Sequence, residues 1–463
     1  MRISKRKIIW TILFLTGILV VLGDYYLIKR VPIATGVRAK TLCSGVFVSN
    51  QNPEILLRQN LRRFVNFVHL EINIENKTAS AKAFGLFKRR AIFREGLGAT
   101  LLVDLTDEEL RSQPVGDLTP ESIYQKSLPW PAGDSISDEG FPSNLDRQKL
   151  NDIVDREIQK TDSEKYGQTK ALVVVYEGRI IAERYARGFE HNTPLPGYGM
   201  TKSVINALVG ILVYSGKLTI DEPAPVPEWE KPNDPRNAIT IDQLLRMSSG
   251  LEAESFNDMK FMLYGCGDMA AYAANKHIEA EPDTKWSYSN GTTLILSRIL
   301  RGSLGGTQTD YFSFPRSALF DLLGMHSAII EPDESGTFVG STFMYASARD
   351  WARFGLLFLN DGVWENERIL PEGWVRYSRT PTMTKSRADY GAHFWTNAEN
   401  NEGNRVRKFP NLPPDAFFAL GHHGQSLTVI PSRKLVVVYL AMDKSREMWN
   451  VNTFVADILE AIQ

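Results

Sequence analysis

Two β-hairpins near opposite ends of residues 145–463 constrain the fold more than any other feature of the sequence. Each joins two strand-like runs through a short turn, one at Glu177-Gly178 and the other at Pro431–Lys434. The four predicted strands are Ala171–Tyr176, Arg179–Tyr185, Leu427–Ile430 and Leu435–Ala441. Helical spacing of apolar residues flanks them at Leu145–Gln159 and Val451–Ile462. The pattern predicts an α/β domain with an antiparallel sheet, flanking helices and an inserted helical region.

The rest of the chain divides into three segments by composition. Residues 31–104 mix helical spacing, as in Pro53–Phe67, with alternating runs, and we interpret them as a small N-terminal α/β domain without a recognisable catalytic motif. Residues 105–144 are rich in Pro, Gly, Ser and Asp, which predicts a linker. Residues 1–30 form a separate N-terminal segment, and the main domain is expected to span residues 145–463.

The N-terminal segment has the pattern of a membrane-directed sequence. Basic residues, among them Arg6 and Lys7, precede an uncharged apolar run from Ile8 to Gly23. We interpret residues 1–30 as an uncleaved membrane anchor, and the alternative is a cleaved signal peptide. Because the basic residues favour a cytoplasmic N-terminus, an anchor would place the main domain on the periplasmic or extracellular side, and cleavage would make the protein secreted.

The composition excludes several kinds of partner. The 53 basic and 54 acidic residues give a formal net charge of -1, so no nucleic-acid partner is expected. Cys43 and Cys266 are far apart and lack Cys-x-x-Cys spacing, which argues against a disulfide framework and a structural metal site. We expect two free thiols, with a single bridge as the alternative. No cofactor is expected, and no pattern indicates an oligomeric state.

The segment Gly199-Met200-Thr201-Lys202-Ser203 precedes an apolar helix and places a lysine in its first turn. A lysine is unfavourable there because the helix N-terminus carries partial positive charge. A depressed pKa would relieve the repulsion and would yield a neutral amine that can accept a proton. On these residues alone, a solvated lysine near a helix start is the simpler interpretation.

Five segments stand in the order and approximate spacing of one enzyme superfamily. They are Gly199–Ser203, Thr240–Leu251, Tyr288-Ser289-Asn290, Ser347–Gly355 and His422-His423-Gly424. In this arrangement the chain resembles serine β-lactamases and penicillin-binding proteins, whose first motif is Ser-x-x-Lys. The sequence around Gly424 is most similar to that of aminohexanoate-dimer (nylon-oligomer) hydrolases and related esterases. The resemblance covers about residues 145–463 and implies a bacterial serine hydrolase that acts on small amides or esters.

The resemblance implies a role for each residue of the site. Position 199 would carry the nucleophilic serine, neutral Lys202 would accept its proton, and Tyr288 would pass a proton to the leaving group. Asn290 would orient Lys202 or donate to the substrate amide. The oxyanion would be held by the backbone N–H groups of residue 199 and of Gln425.

The triplet His422-His423-Gly424 takes the place of the family's Lys-Thr-Gly. His422 is expected to face the cleft, His423 to be solvated, and Gly424 to line the substrate side. A largely neutral histidine lacks the fixed cation that holds a β-lactam carboxylate, which favours an uncharged amide or ester over a penicillin. Because adjacent residues on a strand point to opposite faces and no third ligand is apparent, no metal is expected.

Glycine at position 199 departs from the family, because glycine has no side chain with which to form an acyl-enzyme. Ser203 is no substitute, since Asn206 rather than lysine follows it by three residues, and no Gly-x-Ser-x-Gly elbow occurs. The predicted function is a serine-hydrolase scaffold that is inactive or traps its substrate. The alternative is a natural binding or sensing module for peptidoglycan-like or acyl-amide ligands. The intact neighbouring motifs favour a deliberate replacement, in which case Gly199→Ser would restore ester hydrolysis.

Overall fold

The structure is a computed structural model that describes residues 28–54, 56, 68–119, 127–136, 141–159, 169–382, 384, 389–398, 407–442 and 450–462. The chain forms two compact units. The first contains residues up to Arg94 with Ala99–Arg111 and Phe256–Gly267, and the second contains Glu95–Gly98, Ser112–Ser255 and Asp268–Gln463. The contribution of Phe256–Gly267 to the first unit has no signal in the sequence, because packing between distant segments leaves no local periodicity.

Helices and strands are numbered along the described residues. The helices are α1 (28–47), α2 (Asp107–Arg111), α3 (Arg147–Gln159), α4 (Thr201–Tyr214), α5 (Ile241–Leu245), α6 (Phe256–Gly265), α7 (Met269–Ala274), α8 (Gly291–Leu304), α9 (Gln308–Pro315), α10 (Asp321–Leu323), α11 (Ala348–Leu359), α12 (Trp374–Arg379) and α13 (Val451–Ala461). The strands are β1 (Val68–Asn73), β2 (Thr78–Ala83), β3 (Phe87–Arg94), β4 (Gly98–Leu102), β5 (Thr169–Tyr176), β6 (Arg179–Tyr185), β7 (Leu195–Pro196), β8 (Ile329–Ile330), β9 (Met344–Ala346), β10 (Val363–Trp364), β11 (Glu367–Arg368), β12 (Trp395–Thr396), β13 (Phe417–Leu420), β14 (Ser426–Ile430) and β15 (Leu435–Ala441).

The first unit is built on a four-stranded sheet in the order β1-β2-β3-β4. Strands β1, β2 and β3 pair antiparallel, and small buried residues such as Ala81 and Ala91 line the sheet. Cys43 of α1 donates its S–H to the backbone O of Ala91 at 3.6 Å, which places α1 against β3. Cys43 and Cys266 are both free thiols, as the sequence predicts.

The predicted membrane anchor at residues 1–30 lies almost entirely outside the described residues, which begin at residue 28. Within the described ranges, no helix combines the length and the apolar character needed to cross a membrane. Most of the predicted helix at Pro53–Phe67 also falls outside the described residues.

The second unit is built on a six-stranded antiparallel sheet in the order β12-β13-β14-β15-β5-β6. Both predicted hairpins are present, as β5–β6 and β14–β15. Strand β5 pairs with β15, so that Val173 lies opposite Val438 and the two hairpins share one sheet. Glu177 and Gly178 both have positive φ, which suits the two-residue turn that twisted hairpins favour. The predicted α/β fold with an antiparallel sheet is confirmed.

Helices cover both faces of this sheet. Helices α3 and α13 pack on one face, where Leu150, Val174, Val437 and Ile458 belong to a single buried apolar cluster. Helix α11 packs on the other face against β14, β15 and β5. Because successive strand residues point to opposite faces, a strand covered on both sides must be apolar throughout, which explains the unbroken apolar run Leu435–Ala441.

Gly355 of α11 permits a close approach between helix and sheet. A Cβ at this position would lie 2.6 Å from Cγ1 of Val436 and 2.8 Å from Cδ1 of Leu427. We expect Gly355→Ala to lower the free energy of unfolding by about 1–3 kcal/mol through overpacking. The control is Gly302→Ala in α8, where an added Cβ would contact no atom within 4 Å. This substitution should instead raise the free energy of unfolding by up to about 1 kcal/mol. Urea unfolding of both variants measures the difference, and equal effects would contradict the packing argument.

Candidate active site

Helix α4 carries the lysine of the site in its first turn. A 3-10 turn at Tyr198–Met200 leads into the helix, which is buried along most of its length. The Ser203 hydroxyl donates to the backbone O of His393 at 2.7 Å. The Asn206 side chain donates to the backbone O of Ala392 at 2.9 Å. These buried bonds hold the helix in place and give Ser203 a structural role, in agreement with its exclusion as a nucleophile.

Lys202 is almost completely buried, with 1% of its surface exposed. Its Nζ donates to Oδ1 of Asn290 and to the backbone O of Ser341, both at 2.8 Å. Burial lowers the pKa of Lys202 to about 7, although the negative charge of Glu254 acts to raise it. A neutral amine has two N–H groups, and these two bonds use both, so the lone pair is left to accept a proton. The burial excludes the solvated-lysine interpretation.

Tyr288 lies beside Lys202, as the resemblance implies. The Lys202 Nζ is 4.9 Å from the centre of the Tyr288 ring. The ring stacks on Trp395 at a centroid distance of 5.7 Å and meets the edge of Tyr390 at 6.0 Å, so aromatic neighbours fix its orientation. The Tyr288 hydroxyl lies 2.9 Å from the point that a Cβ on residue 199 would occupy, and it is therefore close to the nucleophile position.

Gly199, at the position that the resemblance predicts for the nucleophile, has no room for a side chain. An added Cβ would lie 2.6 Å from the backbone O of Leu420 and 2.9 Å from the Tyr288 hydroxyl. Real Cβ atoms essentially never approach another heavy atom within 3.0 Å, so the end of β13 would have to move. Among the described residues, no group accepts a hydrogen bond from the Gly199 N–H. This donor can therefore serve a ligand oxygen.

Glu254 is part of the site, although no sequence motif indicates it. Its Oε1 accepts from the Ser289 hydroxyl at 2.5 Å and from the Gly291 N–H at 2.6 Å. Its Oε2 accepts from the backbone N–H and the side-chain amide of Asn290, at 3.1 and 3.3 Å. Glu254 thus holds the start of α8, and with it the amide that contacts Lys202. Nothing in the local spacing could reveal this role, because the partners are 35 to 37 residues away.

We expect Glu254→Gln to lower the free energy of unfolding by about 1–3 kcal/mol. Both carboxylate oxygens accept a backbone N–H, so the new amide nitrogen faces another donor whichever way the side chain is turned. Loss of the negative charge should also lower the pKa of Lys202 further. Urea unfolding measures the stability. The control is Glu460→Gln, which removes an exposed pair with Lys149 and should have an effect below about 0.5 kcal/mol; equal losses in the two variants would contradict the role of Glu254.

The predicted strand edge at His422–Gly424 is instead a 3-10 turn. Both histidine rings contact the ring of Tyr198, with centroid distances of 5.8 Å for His422 and 5.5 Å for His423. His422 is exposed and His423 half-buried, whereas the sequence predicts His423 to be the solvated one. The reason is the φ of 60° at His423, which breaks the alternation expected of a strand. Gly424 has a φ of 88°, a conformation that glycine adopts without strain.

Gln425 is also placed differently from the prediction. Its N–H points to the backbone O of His422 at 3.5 Å. Its side chain forms hydrogen bonds in both directions with the backbone of Ala441, which fastens the turn to β15. This long contact is weak, so the oxyanion role of this N–H stays a prediction. The nearest backbone of this segment to residue 199 is at Leu420–Gly421.

The structure therefore brings Lys202, Tyr288 and Asn290 together beside residue 199, and the oxyanion role of the Gln425 N–H stays a prediction. In the part of the chain that the structure describes, no three His, Cys, Asp or Glu side chains are grouped so that they could hold a metal ion. The arrangement can accept a proton at a buried amine and can donate hydrogen bonds to a carbonyl group.

Comparison with known proteins identifies similar sequences and similar folds. The model of the Beta-lactamase family matches residues 154–459, which include α4, α8 and the last hairpin. The chain is also similar to the 6-aminohexanoate-dimer hydrolase of Paenarthrobacter ureafaciens, with 24% identity over 293 residues, 59% of this chain and 72% of that protein.

Two solved structures share the fold. A candidate 6-aminohexanoate-dimer hydrolase from Bacillus anthracis aligns with a TM-score of 0.55 and 23% identity, over 71% of this chain and 88% of that one. A penicillin-binding protein homologue from Caulobacter crescentus aligns with a TM-score of 0.52 and 15% identity, over 69% of this chain and 97% of that one. At these identities the likeness concerns the fold, and it confirms the fold that the five sequence segments predict.

Proposed function

Because the chain belongs to the beta-lactamase family, we propose that its second unit is a serine-hydrolase-type domain that binds a small uncharged amide or ester without forming an acyl-enzyme. The observation that carries the proposal is that groups able to transfer a proton lie beside residue 199, which has no nucleophilic side chain. Lys202, buried and with a pKa of about 7, is held by Asn290 next to Tyr288. Gly199 has no side chain to attack a carbonyl carbon.

A carbonyl group beside residue 199 would contact hydrogen-bond donors but no nucleophile. The Gly199 N–H would donate to its oxygen, and the Tyr288 hydroxyl would lie beside the same group. A preorganised donor of this kind typically contributes about 3 kcal/mol, and this contribution does not depend on a serine hydroxyl. Loss of the nucleophile, in contrast, typically lowers kcat on the order of a millionfold. A ligand can therefore still bind when the nucleophile is absent, although it is not turned over.

A hydrolase silenced by deliberate replacement of its serine is the second candidate, because the neighbouring motifs are intact. The crowding at Gly199 favours a natural glycine. Removal of a side chain leaves a cavity that the surrounding residues fill only in part. Here the Leu420 O and the Tyr288 hydroxyl already occupy the space that a Cβ would need. We therefore favour a natural binding or sensing module over a silenced enzyme.

The class of ligand is inferred from the relatives and from the turn at His422. Similarity to a 6-aminohexanoate-dimer hydrolase supports an amide, and peptidoglycan-like fragments are the alternative acyl-amide ligands. The family's lysine at the triplet would pair with a carboxylate, and this chain has histidine there. This difference supports an uncharged ligand.

We also propose that residues 1–30 tether the protein to a bacterial membrane, with the second unit on the periplasmic or extracellular side. The support is the sequence pattern of basic residues followed by the uncharged run from Ile8 to Gly23. Cleavage after this run would give a secreted protein with the same site.

Binding without turnover can be measured on the unaltered chain. We expect amide oligomers, muropeptides or uncharged p-nitrophenyl esters to raise the thermal unfolding temperature in a saturable way, while benzylpenicillin leaves it unchanged. Nitrophenol release should not exceed that of the Lys202→Met variant, and intact-mass analysis should show no acyl adduct. Formation of an acyl adduct by the unaltered chain would refute the proposal. If none of these compounds raises the unfolding temperature, the proposed ligand binding is refuted.

A further inference from the structure

The loop between β2 and β3 presents apolar side chains at the end of a basic hairpin. Leu86 is 79% exposed and Phe84 is 56% exposed. Gly85, between them, stands in open space, because a Cβ added there would meet no atom within 4 Å. Single exposed apolar residues are common on protein surfaces. Two of them on one three-residue loop, at the tip of a regular hairpin, form a protruding apolar group that water solvates poorly.

The hairpin formed by β2 and β3, which carries this loop, has basic but no acidic side chains. Residues 76–94 contain six basic and no acidic side chains, although the whole chain has a net charge of -1. The exposed residues His69, Lys82 and Lys88 form one row across β1, β2 and β3. Lys82 stands directly opposite Lys88, and like charges in that relation destabilise a sheet. Glu71 offsets part of this repulsion through a pair with Lys88 at 3.5 Å.

We propose that this loop inserts into the headgroup region of an anionic lipid membrane, with Leu86 and Phe84 in the acyl boundary and Lys82 and Lys88 against the lipid phosphates. An apolar tip flanked by cations is the chemistry that such an interface favours. A three-residue loop is too small for a stable protein interface, which buries about 800 Å² on each partner. A bilayer, in contrast, accepts single side chains. The proposal rests on the first unit alone and does not depend on the ligand of the Gly199 site.

The test compares two labelled positions on the full chain. An environment-sensitive fluorophore is attached to Leu86→Cys in a Cys266→Ser background, since Cys266 is the less buried of the two thiols. The matched control carries the same label at Leu322→Cys, an exposed leucine of the second unit. Both proteins are mixed with vesicles of phosphatidylcholine alone or of equal parts phosphatidylcholine and phosphatidylglycerol. Bilayer-embedded quencher lipids then report the depth of each label. The readout is local, so it does not depend on whether residues 1–30 also hold the protein on the vesicle.

On the mixed vesicles we expect a blue shift and several-fold stronger quenching at position 86 than at position 322. The double variant Lys82→Gln, Lys88→Gln should reduce the signal at 86 to the level at 322, because each basic residue near an anionic surface contributes about fivefold to partitioning. A label at 86 that stays in water on both kinds of vesicle would overturn the proposal. So would equal quenching at the two positions, or a shift that appears without lipid and grows with protein concentration, which would indicate a second copy of the chain as the partner.

Discussion

Gly199→Ser is expected to give a folded but less stable protein that still does not hydrolyse esters. A serine Cβ would lie 2.6 Å from the Leu420 O and 2.9 Å from the Tyr288 hydroxyl. Relief of this overlap requires movement of the end of β13 or of the Tyr288 ring, and such overpacking typically costs about 1–3 kcal/mol. Movement of Tyr288 also separates it from the proton path that acylation needs. Urea unfolding measures the first effect, and p-nitrophenyl acetate hydrolysis with intact-mass analysis measures the second.

The control for this substitution is Gly199→Ala, which adds the same Cβ without a hydroxyl. Both variants should lose stability to a similar degree, and neither should form an adduct. The sequence alone leads to the opposite expectation, that serine restores hydrolysis. If the serine variant accumulates an acyl adduct and turns over ester while the alanine variant does not, the domain is a silenced hydrolase and the crowding argument is refuted.

Between pH 7 and pH 9 the unaltered chain should gain about 2 kcal/mol of stability that the Lys202→Met variant does not gain. The folded chain releases the Lys202 proton near its lowered pKa of about 7, whereas the unfolded chain holds it up to the ordinary value of 10.5. The unfolded state therefore binds more protons between these two values, and stability rises with pH across the window. Well below pH 7 both states are protonated, so this contribution no longer changes.

The measurement is a series of urea unfolding curves across this pH window for both proteins. Burial also lowers the pKa of Lys170, to about 8, but this group is present in both chains and its contribution cancels in the difference. The control Lys434→Met alters an exposed lysine that pairs with Glu177 at 3.0 Å, and its pH dependence should follow that of the unaltered chain. If Lys202→Met also follows the unaltered chain, the amine titrates outside the window and cannot act as the neutral base of the site.

Much of the second unit could be predicted because its signals are local. The alternation of strand residues, the Glu177-Gly178 turn and the apolar run at Leu435–Ala441 are properties of short segments, and each hairpin forms where they indicate. The position of Lys202 in the first turn of an apolar helix is likewise a local property. Similarity to a family then supplied Tyr288 and Asn290, which lie 86 and 88 residues further along the chain.

Other features depend on contacts that no local pattern records. Glu254 acts on Asn290 through hydrogen bonds between separate loops. Phe256–Gly267 joins the first unit although the segments on either side of it belong to the second. The turn at His422–Gly424 replaces a predicted strand edge because two of its residues have positive φ. Histidine adopts that conformation only uncommonly, so His423 gave no local signal for it.

The sequence by itself determined the antiparallel sheet, the apolar helix with Lys202 in its first turn and the absence of a side-chain nucleophile at residue 199, because each follows from the residues present in a short stretch. Only the tertiary structure decided how much space surrounds Gly199. That space is set by Leu420 and Tyr288, which reach the glycine from distant strands and loops. Under the proposed function, the packing around Gly199 distinguishes a binding site from an enzyme that lacks only its serine.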